Sequence, residues 1–424
     1  MITASALILI ALTLFGLPLF IAILAATMLG LTTSNIDFAA IPIELCRLAN
    51  SPVLLAVPLF TFAGYLLSEG GTSKRLVRFS KSLFGWIPGG FGIVALVSCA
   101  FFTAITGATG VTIIALGGLL FPSLISEGYS EDFSLGLMTS SGSLGLHFPP
   151  SLPVILYGFV SGTSIKDLFV AGLLPGTLMI GVLCMFSVYM GRRWKIERPS
   201  FSVREFSSSL KGSAWETPIP LLIIAGIYTG FCTATEAAAL TVVYVLFIKL
   251  LIFREISFSR DLPRIMKEST KMTGGILIIL GAALGLTNYM VDAFIPMKIL
   301  KLMEGVVTTK IGFLLVLNVF LILVGCMMDI FSAILVVVPL IVPVASRFGI
   351  DPVHLGVLFL ANLGIGYNTP PVGLNLFIAS SRFQRPVLQL YRATIPFLIL
   401  LIAALIVITY WPGLSLFLPR LLKG

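Results

Sequence analysis

The sequence predicts an all-α polytopic membrane protein built from two inverted-topology repeats, each holding a re-entrant helical hairpin and a discontinuous helix. Three observations predict this fold class. Of the 424 residues, 58% are hydrophobic and only 11% are charged, whereas a soluble domain has roughly 25% charged residues. Gly and Pro positions recur at one fixed separation between the two halves of the chain. Each half also carries an apolar segment interrupted in its middle by small polar residues and a Pro-Pro pair.

Composition comes first. Apolar stretches of about 20 residues, long enough to span a bilayer, recur along the whole chain and leave no room for a sizeable soluble domain. The net charge of +9 does not point to nucleic acid. Most of the Lys and Arg residues fall in short segments, 74–81, 192–211, 254–271 and 382–392, which is the positive-inside pattern of loops on the cytoplasmic side of an inner membrane. The five cysteines are Cys46, Cys99, Cys184, Cys232 and Cys326. Their scattered spacing indicates neither a disulfide framework nor a metal site. Residues 1–31 lack a basic leader and read as a retained first helix.

If all four basic segments are cytoplasmic, the chain between them crosses an even number of times. The stretch 89–122 therefore reads as a re-entrant hairpin with its tip near Thr106 and Gly107, because two full crossings would place the segment around Arg192 outside. The segment 133–160 crosses once and is broken at 141–145 and at Phe148, Pro149 and Pro150. The segment 171–190 returns, so 161–166 faces the periplasm. Non-helical backbone at membrane depth is tolerated only inside protein or beside a water-filled cavity. The two breaks thus mark a site, although single glycines also serve close helix packing.

The second half repeats the pattern. Pro122 and Pro343 lie 221 residues apart, and the same offset relates Gly128 to Gly349, Gly145 to Gly366, Pro149 and Pro150 to Pro370 and Pro371, and Pro175 to Pro396. It carries the first hairpin onto 311–346, with a tip near Met327, Met328 and Asp329, and the first broken helix onto 353–381, interrupted between Gly364 and Pro371. It also carries 52–67 onto 273–292 and the first helix onto 223–252. That last region is too long for one span and reads as two helices, 218–231 and 234–253, the second opened by a capping box of Thr233 and Glu236. The extra crossing inverts the second repeat, an architecture common to secondary transporters.

Half-helices meeting at a break present free N–H groups at one end and free carbonyls at the other. The carbonyl ends suit a small hard cation such as sodium, and the N–H ends suit a carboxylate. The first half offers Thr103, Thr106, Thr109, Ser140, Ser141 and Ser143; the second offers Asp329, Asn362, Asn368 and Thr369. These are hard oxygen donors, not transition-metal ligands. Asp329 reads either as an ion or substrate contact, since intramembrane carboxylates are costly, or as a helix N-cap. His147 reads as a substrate contact or as a hydrogen-bonded interior residue, with the interior reading favoured, and His354 as a structural residue near the surface. No metalloprotease, nucleotide-binding or serine-hydrolase signature is present, so the chain does not read as an enzyme.

Several of these segments resemble one family. Gly128 and Tyr129, 141–153 (SGSLGLHFPPSLP), 164–176 (SIKDLFVAGLLPG), 230–239 (GFCTATEAAA), 351–356 (DPVHLG) and 368–377 (NTPPVGLNLF) are similar to the large membrane subunit, or DctM-like permease, of TRAP transporters, the tripartite ATP-independent periplasmic systems. The resemblance implies sodium-driven symport of organic acids such as C4-dicarboxylates, sialic acid or sugar acids, by an elevator mechanism of the ion-transporter superfamily. It implies two partners, a periplasmic solute-binding protein and a separate small four-helix membrane subunit, and no cofactor besides sodium as coupling ion. Carried onto this sequence, the first sodium site holds Thr103, Thr106, Gly107, Ser141, Gly142 and Gly145. The second holds Gly325, Met328, Asp329, Gly364, Gly366 and Thr369. The substrate site holds Ser143, His147, Asn368, Pro149 and Pro370. The transport core is 89–167 and 311–382, and the scaffold is 1–88, 168–310 and 383–424. The chain departs from the family pattern at Thr106 to Thr109, where Ser-Gly-Ser is usual, and at His147, where an aliphatic residue is usual. The rival readings are a stand-alone sodium–dicarboxylate symporter and a passive channel.

Overall fold

The computed structural model describes residues 17–33, 37–196, 200–293 and 309–422, which are helical with no strand among them. The expected first helix is present from Leu19 to Thr33 (α1); residues 1–16 lie outside the described residues. α2 (Ala40–Ala49), a short 3-10 turn (Pro52–Leu55), α3 (Ala56–Ser68) and α4 (Thr72–Phe84) follow. Two helices then form a hairpin, α5 (Gly90–Thr106) and α6 (Thr109–Ser126). α7 (Glu131–Ser141), a 3-10 turn (Leu144–His147) and α8 (Leu152–Ser161) form a broken helix bent by 47°. α9 (Ile165–Ala171), α10 (Leu173–Arg193), α11 (Val203–Ser213), α12 (Ile219–Tyr228), α13 (Ala234–Phe247) and α14 (Asp261–Asp292) come next. A second hairpin, α15 (Lys310–Met327) and α16 (Ile330–Arg347), precedes a second broken helix, α17 (Pro352–Gly366) and α18 (Leu374–Phe383). α19 (Val387–Tyr410) and α20 (Gly413–Leu421) close the fold. By length and apolarity, seven of the described helices can cross a membrane, or nine if each bent pair is one span.

Local chemistry sets the hairpin tips. α5 ends because Gly107 takes a left-handed conformation (φ 66°) and donates its N–H to the Thr103 carbonyl, a helix stop that needs glycine. Ala108 is extended and α6 starts at Thr109. The tip is buried: a Cβ on Gly107 would meet the Leu152 side chain, and a Cβ on Gly64 of α3 would meet the backbone of Ile105 and Thr106. The second tip uses a different device. Met328 is extended, and Asp329 caps α16 by accepting from the N–H groups of Phe331 and Ser332, each at 3.0 Å.

The 221-residue offset also relates element bounds. It places Thr109–Ser126 on Ile330–Arg347, and the cis Pro149–Pro150 bond on the cis Pro370–Pro371 bond. Two packing contacts exchange under the same shift: α6 lies on α18, and α16 lies on α8. The Thr233 capping box forms as expected, with Thr233 N–H donating to Glu236 at 2.8 Å.

Other expectations need correction. The four basic segments are not loops. Segment 74–81 lies inside α4, and 192–211, 254–271 and 382–392 run into helices. The spacing explains α4: Lys74, Arg78 and Lys81 share an exposed face while Thr72, Leu76 and Ser80 share a buried one, so the charge run is one side of an amphipathic helix. The second helix of the 218–253 region ends in a π-helical turn, Ile248–Ile252. His354 is not near the surface: it is buried, 3.1 Å from the Ser415 hydroxyl of α20.

A buried charge cluster ties α4 to this turn. Arg75 grips Glu216 with two hydrogen bonds, at 2.9 and 2.6 Å, and reaches Glu255 at 2.5 Å. Lys249, which is fully buried, donates to Glu255 at 2.8 Å, to the Thr72 hydroxyl at 2.5 Å and to the Glu69 carbonyl at 2.8 Å. Burial pushes the Glu255 carboxyl up, but hydrogen bonds from Arg75 and Lys249 outweigh it and hold the group down at about 2. A depressed carboxylate contributes stability that is present above its unfolded value of about 4.3 and lost as pH falls through its folded value. Melting temperature in detergent should therefore fall between pH 4.5 and 2, and Glu255→Gln should remove the part of that drop due to this group.

Candidate functional site

The first hairpin and the first break meet at Thr103. Its hydroxyl shares a 2.6 Å hydrogen bond with Thr112 Oγ1 and lies 2.8 Å from the carbonyl of Gly142. Gly145 sits against the same turn, where a Cβ would come within 2.2 Å of the Ala100 carbonyl and 2.6 Å of the Thr103 side chain. Of the first sodium set, Thr103, Gly142 and Gly145 are thus in contact. Thr106 and Ser141 instead turn their hydroxyls back to the Phe102 and Met138 carbonyls of their own helices.

In the second half, Gly366 packs on the second hairpin. A Cβ there would lie 2.7 Å from the Gly325 backbone, and the Gly373 N–H donates to Cys326 at 2.9 Å. Thr369 Oγ1 is bound to the Ile365 carbonyl at 2.9 Å. Asp329 is half-buried, caps α16 and also accepts from the Ser332 hydroxyl. The neighbouring Ile330 N–H donates to the Tyr367 hydroxyl, which brings the tip to the break. Gly364 is elsewhere: it faces the first half, where its Cβ would meet Ser143 at 3.4 Å.

The two breaks join through side chains. Asn368 Nδ2 donates to Ser143 Oγ at 3.3 Å and to the Gly364 carbonyl at 3.0 Å. Asn375 Nδ2 donates to Asn368 Oδ1 at 3.2 Å and approaches the Thr139 carbonyl at 3.5 Å. Ser143, Asn368 and Asn375 are all buried, while Asn375 Oδ1 and Ser140 Oγ have no hydrogen-bond partner. A buried acceptor left unpaired costs about 1–3 kcal/mol, so these oxygens fit a hard cation or a ligand donor. A second buried chain runs from Thr409 through Asn318 to Asn362, each link 2.9 Å, and holds α15, α17 and α19 together.

The other substrate candidates separate. Pro149 lines an apolar groove of about 330 Å³ with Phe101, Leu173 and Leu221, away from Asn368. Pro370 is exposed. His147 is interior, as favoured, with the Val357 backbone as its polar neighbour. The 221-residue offset makes it the counterpart of Asn368, a correspondence legible in the sequence from the Pro-Pro pair two residues on. Asn375 was missed as a site residue, although its segment was singled out. It is the second residue of α18, and only the folded chain shows it turned to Asn368.

The family described as the DctM component of the tripartite ATP-independent periplasmic transporters matches residues 6–414. The chain belongs to that family. A C4-dicarboxylate TRAP transporter large permease protein DctM of Rhodobacter capsulatus is 32% identical, with 98% of both chains covered. An isethionate TRAP transporter permease protein DctMQ of Oleidesulfovibrio alaskensis is 33% identical over 92% of this chain and 62% of its own length. The crystal structure of the Alcanivorax borkumensis YdaH transporter, described as having an unusual topology, shares the fold, with a TM-score of 0.61 over 89% of this chain and 88% of that one at 15% identity. This DctM chain is accordingly a TRAP large permease, a multi-pass protein of the inner membrane.

Proposed function

We propose that the chain is the permease of a sodium-coupled, binding-protein-dependent importer of organic acids. The observation that carries this reading is the contact between the two breaks, Ser143 to Asn368, with a hairpin tip set against each break. Neutral oxygens lie at the two breaks: Thr103 Oγ1 and the Gly142 carbonyl at the first, and Asn368 Oδ1 and Asn375 Oδ1 at the contact between the halves, with Ser140 Oγ and Asn375 Oδ1 lacking a hydrogen-bond partner. Such donors suit sodium, while the N-terminal end of α8, which has no side-chain cap, suits an anion. A C4-dicarboxylate and isethionate, named for the two relatives, are both small organic anions, which supports the substrate class.

The exchange of contacts α6 on α18 and α16 on α8 supports a two-fold relation between the repeats, and in this reading an odd crossing supplied by α13 inverts the second one. In this reading 89–167 and 311–382 move as one core against the remaining helices, in an elevator step. In this reading a small membrane subunit and a periplasmic solute-binding protein complete the system.

Reconstitution tests the partner requirement. In vesicles holding this chain and its small subunit, solute uptake should be near background until the solute-loaded binding protein is added. Uptake at full rate from free solute alone would instead fit a stand-alone symporter.

A further inference from the structure

α4 and α11 are not explained by transport chemistry. α4 leaves α3 at 74°, which turns it across the direction of the preceding span. α11 runs beside it in parallel, because the contacts keep one offset: Arg78 to Glu205 at 2.8 Å, Phe79 to Phe206 at 6.1 Å between rings, and Ser82 to Ser209 at 2.6 Å. Both helices bury a Ser face, with Ser80 on one and Ser209 and Ser213 on the other. Their outward side carries Lys74, Arg78, Lys81, Arg204 and Lys211, of which Arg78 pairs with Glu205 and Lys81 with Glu127, each at 2.8 Å. Lys74, Arg204 and Lys211 make no ion pair among the described residues. Exposed Trp86, Phe201 and Val203 flank these charges. A cavity of about 280 Å³ opens between the helices, lined by Arg78, Lys81, Trp86, Phe201, Ser202 and Glu205.

Basic side chains beside exposed aromatics, on a helix lying across a span, match the chemistry of a membrane interface. We propose that α4 and α11 form a platform for anionic phospholipid, with the phosphodiester in the cavity beside Lys81 and Arg78 and the acyl chain along Trp86 and Phe201. Charge complementarity selects this occupant: five cations against the carboxylates of Glu205 and Glu127 leave a net positive surface beside an apolar rim, which attracts an acidic headgroup over a zwitterionic one. α4 leads through Gly85 and Gly89 directly into α5, so the lipid anchors the base of the first hairpin.

Trp86 reports on its own surroundings once the other three tryptophans are replaced, by Trp194→Phe, Trp215→Phe and Trp411→Phe. The full chain is placed in phosphatidylcholine nanodiscs containing graded brominated phosphatidylglycerol or brominated phosphatidylcholine. Quenching by the anionic lipid should be about 5-fold steeper at low salt, the factor that one effective Lys or Arg contact supplies. The preference should fall toward parity at about 1 M salt, where screening acts within about 3 Å. It should also vanish in the Lys81→Gln, Arg204→Gln, Lys211→Gln variant. Equal quenching by the two lipids at low salt overturns the proposal, as does quenching by neither or a preference that survives both salt and the triple variant.

Discussion

Glu216→Ala should destabilise the protein by about 3–5 kcal/mol, the cost of stranding a buried charge. Glu216 and Lys249 are both fully buried, and Glu216 takes two hydrogen bonds from Arg75. Without it, Arg75 and Lys249 share the single carboxylate of Glu255. Glu216→Met combined with Lys249→Met leaves Arg75 paired with Glu255 and removes both buried charges, so it should cost far less than Glu216→Ala, because replacing a whole buried pair is often near neutral. Thermal unfolding in detergent, followed by size-exclusion recovery, measures both. A single variant as stable as the parent, or a double variant less stable than the single, would contradict this account of the cluster.

The second large effect is expected at Asn368. Asn368→Ala removes the acceptor for Asn375 Nδ2 and the donor for Ser143 Oγ in one step. Each stranded buried group costs about 1–3 kcal/mol, so initial uptake should fall by about 10-fold or more at matched protein level. Ser143→Ala should cost less, because its hydrogen bonds are long, 3.3 Å from Asn368 and 3.4 Å to the Ser140 carbonyl. Wild-type uptake by Asn368→Ala would remove the joined breaks from the transport site.

The sequence made legible what local chemistry specifies. Gly107 stops a helix because glycine alone takes its conformation comfortably, and Asp329 starts one because a carboxylate accepts from free N–H groups. The tips therefore fell where their residues said. The Thr233 capping box was readable for the same reason. The charge cluster was not readable, since Arg75, Glu216 and Glu255 lie 141 and 180 residues apart and no short pattern links them. The basic segments misled because the charges of α4 occupy one face of a helix whose other face is the buried Thr72, Leu76 and Ser80 stripe. The amide chain of Ser143, Asn368 and Asn375 depends on the docking of one half on the other, which only the packed chain decides.

Asp329 is both a helix cap and the carboxylate of the second hairpin tip. Its Oδ1 is engaged as a cap, and Asn would cap nearly as well, so Asp329→Asn separates charge from capping. The most direct measurement is the initial rate of solute uptake against external sodium, in vesicles of the complete system with loaded binding protein, for the parent and for Asp329→Asn. Sodium coupling at Asp329 requires a saturable sodium dependence without ATP, and a sodium midpoint raised in the variant by about 5- to 150-fold, the loss of about 1–3 kcal/mol of ion contact. An unchanged midpoint would leave Asp329 as a cap alone. Full uptake driven by a proton gradient in the absence of sodium would contradict sodium coupling itself.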